Sequence, residues 1–429
     1  MRVLMFGWEF PPHIAGGLGT ACKGIVEGLA HNGVETLFVM PSASGDEDQS
    51  CTTIINASDV EVHNVSQTVD EFLDKVKFIH VDSNLVPYVD PDEYFEAIEK
   101  MKKEKRTSTT VGFGQKFKFS GKYGANLMEE VSRYAQVGGT IAMQHAGEFD
   151  VIHAHDWLTY LAGIAAKELS GKPLVVHVHA TSFDRGSDDM VDTRVYAIEK
   201  RGMEMADRVV AVSELTRNIV INKYGIDPSK VVAVHNAVDF SGRENLQVER
   251  GVRDKVVTFL GRITYQKGPE YFIDAAAKVL KRTKGVRFVM AGSGDMMNKA
   301  IRQVARLGIA DKFHFTGFLR GSDVQKMFAL SDVYIMPSVS EPFGISPLEA
   351  MRSNVPSIIS YQSGAAEILK YAFKVDFWDV DAMADDIYAL LQYPALSKFA
   401  EKHGLEEVNA LKWDHAAAKL KTIYEQITK

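Results

Sequence analysis

Val256-Val-Thr-Phe-Leu-Gly261-Arg262-Ile-Thr-Tyr-Gln-Lys267-Gly268 is a short, β-rich apolar run that breaks at a glycine and passes into a loop carrying two cations. An apolar run of this length ahead of a turn signal reads as a strand buried on both faces. It decides the fold because it restarts a pattern. The preceding stretch, Asp239–Asp254, is polar, charged and poor in apolar periodicity, and reads as a linker. Downstream, strands are predicted at Val256–Leu260, Val286–Ala291, Phe313–Phe315, Val333–Met336 and Ser357–Ser360, with helices between them. Upstream, they are predicted at Val3–Phe6, Glu35–Met40, Val151–Ala154, Leu174–His179, Arg208–Val212 and Val231–Val234. Helical segments separate these too, such as Thr20–His31 closed by Asn32-Gly33, and one that Ser213 can cap. Strands alternating with helices predict an α/β fold with parallel sheets. Two such series predict two Rossmann-like domains, residues 1–245 and 246–410, facing across a cleft, with ligands outside the carboxyl ends of the strands.

A chain of 429 residues is too long for one ordinary core, which agrees with that division. The net charge of -7 argues against nucleic acid as the main partner, since phosphate backbones want a basic surface. Cys22 and Cys51 are the only cysteines, too few for a disulfide framework. The chain opens on Arg2-Val-Leu-Met-Phe6 instead of a basic and then apolar leader, and no stretch reaches membrane-spanning length. A cytoplasmic protein without stable membrane insertion is expected.

Residues 42–125 fit the α/β pattern less well. Glu99-Lys-Met-Lys-Lys-Glu-Lys-Arg106 and Phe113-Gly-Gln-Lys-Phe-Lys-Phe119 read as a solvated helix and an edge hairpin. The alternative is an insertion that binds an acceptor or contacts another copy in a homo-oligomer, because aromatic faces suit sugar rings and partner surfaces.

Five motifs carry chemistry. Pro11-Pro12-His13-Ile14-Ala15-Gly16-Gly17-Leu18-Gly19-Thr20 is a Gly-rich turn between strand and helix, where backbone N–H groups can approach an anionic or polyhydroxyl ligand. His153-Ala-His155-Asp156-Trp157 closes a strand. Alternation puts His153 and His155 on one face, where they could share an ion. His177/His179 is the only other candidate cluster, so no metal is expected, and these residues are read as orienting a hydroxylated acceptor or one another. In Leu174–Ser182, His179 can bind a sugar hydroxyl, whereas His177 reads as a satisfied core histidine. In the quoted run, Arg262 can make a bidentate bond to phosphate and Lys267 adds a point charge. Finally, Glu341-Pro-Phe-Gly344-Ile-Ser-Pro-Leu-Glu349 places two carboxylates around a turn and a helix start. The N–H groups from Gly344 to Ser346 suit a diphosphate, Glu341 can accept from sugar hydroxyls, and Glu349, two turns into the helix, can reach a ribose.

With these motifs, the sequence resembles the GT-B glycosyltransferases of family 4 and the related glycogen and starch synthases. The matching residues run in order: Pro11-Pro12 with Gly16-Gly17-Leu18, His153 to Trp157, His179, Gly261-Arg262 with Lys267-Gly268, and Gly292-Ser-Gly294. Phe315-Thr-Gly317, Glu341 with Glu349, Ser363-Gly-Ala-Ala-Glu367 and Trp413-Asp414 follow. The resemblance implies a retaining, metal-independent hexosyl transfer that needs no cofactor besides its nucleotide-sugar substrate. It implies that Glu341 holds the donor sugar, Glu349 the ribose, Arg262 and Lys267 the diphosphate, and His179 the sugar hydroxymethyl region. Asp156 would lie near the acceptor or the donor sugar. Gly16, Gly17, Gly261, Gly292, Gly317, Phe343, Gly344, Ile345 and Ser346 would line the donor. Residues 411–429 would form a helix packed back on the N-terminal domain.

Bacterial glycogen and starch synthases carry a lysine where Ala15 stands here, which weakens ADP-glucose as the donor relative to UDP-glucose. The His153–Trp157 run leans toward the glycogen synthases, and a glucosyltransferase extending an α-glucan is the expectation. The alternatives are a family-4 enzyme acting on a small sugar, sugar phosphate or lipid, a nucleotide-sugar epimerase, or a non-catalytic sugar-nucleotide sensor.

Overall fold

A computed structural model describes residues 1–13, 16–62, 115–124, 126–186, 191–238, 248–251 and 253–428. Its strands, in chain order, are β1 (Arg2–Phe6), β2 (Glu35–Met40), β3 (Thr53–Asn56), β4 (Glu61–Val62), β5 (Gln115–Lys116), β6 (Val151–His155), β7 (Leu174–Val178), β8 (Arg208–Ala211) and β9 (Val231–Ala233). They continue as β10 (Lys255–Leu260), β11 (Val286–Ala291), β12 (Phe313–Gly317), β13 (Val333–Met336), β14 (Ser357–Ser360) and β15 (Phe373–Val375). The chain divides into two compact units. One comprises Met1–Phe183, Ser187–Asn236 and Trp413–Lys429, the other Asp184–Gly186 and Ala237–Lys412.

Unit 1 holds a seven-stranded sheet in the order β3-β2-β1-β6-β7-β8-β9, with every pair parallel. Unit 2 holds a six-stranded sheet, β12-β11-β10-β13-β14-β15, again parallel throughout. Each runs outward from its first strand, then reverses: between β1 and β6 in unit 1, between β10 and β13 in unit 2. This is the doubly wound order, and both domains are Rossmann-like, as the alternation predicts. The sequence pattern missed β3 and β15, both short strands at sheet edges. In unit 2 the strand residues Val257, Phe259 and Phe288 pack with Phe272, Ile273 and Ile387 of the covering helices into one core.

Of the irregular region, residues 63–114 and 125 lie outside the described residues, and the charge run Glu99–Arg106 with them. β4 and β5 form a short antiparallel pair. Phe117 and Phe119 are buried, and Phe119 meets Tyr134 edge-on at 6.0 Å between ring centres. These two aromatics therefore serve packing and offer no exposed face to a sugar.

The helix Leu127–Gln144 packs against the helix Trp157–Ser170 and carries Tyr134, whose hydroxyl lies 3.1 Å from the Gly7 carbonyl and 2.8 Å from that of Val39. Burial raises this phenol well above its ordinary range, so it stays a donor. Tyr134→Phe is expected to lower stability by about 1 kcal/mol through the lost hydrogen bond, read as a shift in urea midpoint with unchanged m.

The last helix, Trp413–Ile427, lies along Gly17–His31 within unit 1. Gly24 permits the approach: a Cβ there would stand 2.2 Å from the Trp413 ring. His31 Nδ1 meets Asp414 at 2.8 Å, and Lys421 donates to the Asn32 carbonyl at 2.8 Å. Among the described residues no helix is long and apolar enough to cross a membrane.

Candidate active site

Doubly wound sheets bind ligands where strand order reverses, at the carboxyl ends. In unit 2 those ends are the exits of β10 and β13, and the predicted residues sit at both. Gly261 follows β10 and donates to the Ala291 carbonyl at 3.0 Å, while Gly292 follows β11 and donates to the Gly317 carbonyl at 2.8 Å. Gly261, Gly292 and Gly317 thus line up across three adjacent strand ends. Gly292 has φ +142, a conformation L side chains rarely adopt, and a Cβ there would stand 1.8 Å from the Gly261 oxygen.

Beyond Gly261, Arg262 donates through Nη2 to Gln266 Oε1 at 3.1 Å. Gln266 also accepts, through its carbonyl, the Val339 N–H at 2.8 Å, so the loops after β10 and β13 are stitched together. Lys267 pairs directly with the Glu341 carboxylate, with side chains only 19% and 9% exposed. Ser338 Oγ lies 3.4 Å from the same carboxylate. The Glu341 loop is clamped by Gln362 to Ala365: Glu341 N–H donates to Gln362 O at 2.9 Å, Gly364 N–H to Glu341 O at 2.9 Å, and Ala365 N–H to Phe343 O at 2.7 Å. The Ser363-Gly-Ala-Ala-Glu367 motif therefore acts as backbone support. Phe343 is buried, and Gly344 turns the chain at φ +95.

Ile345 caps the helix Ser346–Arg352, and Glu349 lies in its first turn, not two turns in as expected. Pro347 has no N–H, and the Leu348 and Glu349 N–H groups both reach the Ile345 carbonyl. Donation to an anion thus rests on Gly344 to Ser346. Tyr334, unnoticed in the sequence, lies beneath this turn. Burial raises its hydroxyl far above the usual range, outweighing a hydrogen bond with the Ser346 side chain that lowers it, and the Glu341 and Glu349 carboxylates add to the rise.

In unit 1 the reversal point is flanked by β1 and β6. Gly16 is the extended cap of the helix beginning at Gly17, and the buried Glu9 accepts from Gly19 N–H at 3.1 Å. Ile14 and Ala15 lie outside the described residues. At the exit of β6, Asp156 has φ 59, one of two non-glycine residues with positive φ among the described residues. Such backbone costs about 1–3 kcal/mol and persists only where its surroundings enforce it. Here Asp156 Oδ1 accepts from His179 N–H at 2.7 Å and Ala180 N–H at 3.2 Å, tying the exit of β6 to that of β7. Nearby Cys22 is fully buried, and burial, with Glu9 and then Asp156 adding, raises its thiol and keeps it unreactive.

The histidines do orient one another. His155 stands opposite His177 in register, and His155 Nδ1 meets His179 Nε2 at 2.9 Å. His153 Nδ1 meets the Tyr424 hydroxyl, from the last helix, at 2.6 Å. Burial keeps all four rings neutral, with His153 and His179 lowered to about 3. His177 corrects its sequence reading: it is in the core, but neither ring nitrogen has a hydrogen-bond partner. Sequence reasoning missed Tyr334, Gln266, Glu9 and Tyr424, buried residues whose roles come from contacts made only once the chain is folded.

Two family models match the chain in succession: Glycosyltransferase Family 4 over residues 124–241 and Glycosyl transferases group 1 over residues 243–405. An uncharacterized glycosyltransferase of Methanocaldococcus jannaschii is 28% identical over 99% of this chain and 98% of its own. A glycogen synthase of Mycobacterium tuberculosis is 24% identical over 86% of this chain and 80% of its own. D-inositol 3-phosphate glycosyltransferase 2 of Catenulispora acidiphila is 28% identical over 67% of this chain and 73% of its own. Among solved structures, sucrose-phosphate synthase from Thermosynechococcus elongatus matches with a TM-score of 0.70 and 17% identity, covering 99% of this chain and 98% of that one. Anabaena HepE, solved in complex with UDP and glucose, gives 0.65 and 16%, covering 99% and 100%.

Proposed function

We propose that this chain, a glycosyltransferase of the GT-B type, moves glucose from a nucleotide-glucose donor to the end of an α-glucan with retention of anomeric configuration. The observation that carries the donor half is the Lys267–Glu341 pair beside Arg262 at the reversal point of unit 2. Two half-buried cations there are offered for a diphosphate and one buried carboxylate for sugar hydroxyls. Two cations on the leaving diphosphate stabilise charge that grows in the transition state, so no metal is required for departure. Glu349 and the turn from Gly344 to Ser346 complete the donor contacts. The family resemblance gives His179 and Asp156 roles toward the sugar and the acceptor.

A retaining glycosidase uses two carboxylates about 5–5.5 Å apart, one as nucleophile. The sequence motifs offer no convincing nucleophile and acid pair, which favours attack on the face the diphosphate leaves. The bond from the anomeric carbon to the diphosphate oxygen breaks, the acceptor oxygen bonds the same carbon from the same side, and its proton passes to the departing diphosphate. The glucan acceptor is supported by the glycogen synthase likeness and the His153–Trp157 run. A phosphorylated small acceptor is the second reading, favoured by the inositol phosphate glycosyltransferase likeness.

The test is nucleoside diphosphate release from UDP-glucose or ADP-glucose, with and without glycogen. Release that depends on glycogen and vanishes in Arg262→Ala is expected. Release stimulated by a sugar phosphate or inositol phosphate but not by glycogen would move the assignment to the second reading. No release from any sugar nucleotide would overturn both.

A further inference from the structure

The face shared by β6 and β7 carries a feature the transfer reaction does not use. His153, His155 and His177 are buried to 0%, 0% and 1% exposure. Their ring centres lie 4.3 Å apart for His153–His155, 5.2 Å for His155–His177 and 5.3 Å for His153–His177. Four ring nitrogens there have no hydrogen-bond partner: Nε2 of His153, Nε2 of His155, and both nitrogens of His177. An unsatisfied buried polar group costs about 1–3 kcal/mol, and folded proteins hold few of them. Four gathered on three adjacent side chains call for a ligand.

The outward contacts of two of the rings indicate which kind. His153 and His155 each engage Nδ1, one with the Tyr424 hydroxyl and the other with His179 Nε2. With the proton on Nδ1 in both, the lone pair is left on the unpartnered Nε2. A metal-bound imidazole ordinarily has this arrangement, one nitrogen on the ion and the other hydrogen-bonded outward to fix the ring. One nitrogen from each of the three residues falls within 4.8 Å of the others. Two histidines two apart on one strand and a third on the neighbouring strand make a three-sided nitrogen set. Neutral imidazoles suit zinc and its late first-row neighbours, whereas calcium and magnesium want oxygen.

We propose that His153, His155 and His177 bind one zinc-type transition-metal ion, leaving its fourth position to water. Tetrahedral zinc, with bonds of about 2.0–2.1 Å, holds its nitrogens roughly 3.4 Å apart. Binding therefore draws the three rings closer than they stand now. The ion is a structural pin: it joins β6 to β7 one residue before Asp156 and two before His179, and takes no part in sugar transfer. It does not depend on which donor or acceptor the enzyme uses.

The test uses the intact chain prepared without a metal-affinity tag. After incubation with zinc and gel filtration, elemental analysis is expected to find about one equivalent per chain, and cobalt(II) in its place to give the intense visible bands of a four-coordinate ion. His177→Asn and His153→Asn are each expected to lose the metal and the bands while keeping the wild-type circular dichroism. Zinc retained at a full equivalent in folded His177→Asn would overturn the site. So would wild-type protein that binds no zinc, or that gives only the pale spectrum of six-coordinate cobalt, and these two readings stand even if the variants fail to fold.

Discussion

Lys267→Met leaves the buried Glu341 carboxylate without its cation, and is expected to lower both stability and turnover. Breaking a fully buried pair by removing one partner costs about 3–5 kcal/mol, because a desolvated charge is stranded. Here the side chains are 19% and 9% exposed and Ser338 Oγ remains 3.4 Å from the carboxylate, so a loss of about 2–4 kcal/mol is expected in urea. The double variant Lys267→Met/Glu341→Gln removes both charges and keeps the volumes, so it should recover most of that stability. Activity should not recover. With the proposed diphosphate cation and sugar carboxylate both gone, kcat/KM is expected to stay about 100- to 1,000-fold below wild type, the range for losing one preorganised electrostatic contact or more. A double variant with near-wild-type turnover would make the pair a brace between two loops and nothing else.

The proposed donor site is legible in the sequence because each residue at the exits of β10 and β13 stands in a local run whose chemistry is explicit: Gly261-Arg262, Lys267-Gly268, Glu341 with Gly344. Strand order is not local. That Gly292 packs on Gly261, or that residues 362–365 clamp Glu341, follows only once β10, β11 and β13 are known to be neighbours. The histidines make the same point. Alternation placed His153 and His155 on one face, but the partner of His153 is Tyr424, 271 residues away. His177 looked like a core residue because its strand is continuous and apolar, and its unpartnered nitrogens became visible only with β6 beside it. Glu349 was placed by spacing from Glu341, but the turn through Gly344 uses up residues before the helix begins at Ser346. The strained backbone of Asp156 has no sequence signal of its own.

Gly292→Ala separates two costs that a glycine can hide. At φ +142 an alanine is strained wherever it sits, by about 1–3 kcal/mol. Steric contact costs more than that strain: the new Cβ would stand 1.8 Å from the Gly261 carbonyl oxygen, backbone meeting backbone, with no side chain to rotate aside. Relief requires the ends of β10 and β11 to part, stretching the Gly261 N–H bond to the Ala291 carbonyl that joins them. A total loss of about 4 kcal/mol or more is expected, at the exceptional end for one methyl group. Gly308→Ala supplies the control. Gly308 has φ +68, and nothing lies within 4 Å of its would-be Cβ, so only the backbone strain applies, about 1–2 kcal/mol. Equal urea midpoints for the two variants would mean the three strand ends are compliant. A Gly292→Ala protein that folds at low temperature should be impaired chiefly in donor binding, because parting the strand ends moves Gly261 and carries Arg262 with it. Its KM for the sugar nucleotide should then rise more than its kcat falls, while Gly308→Ala keeps both.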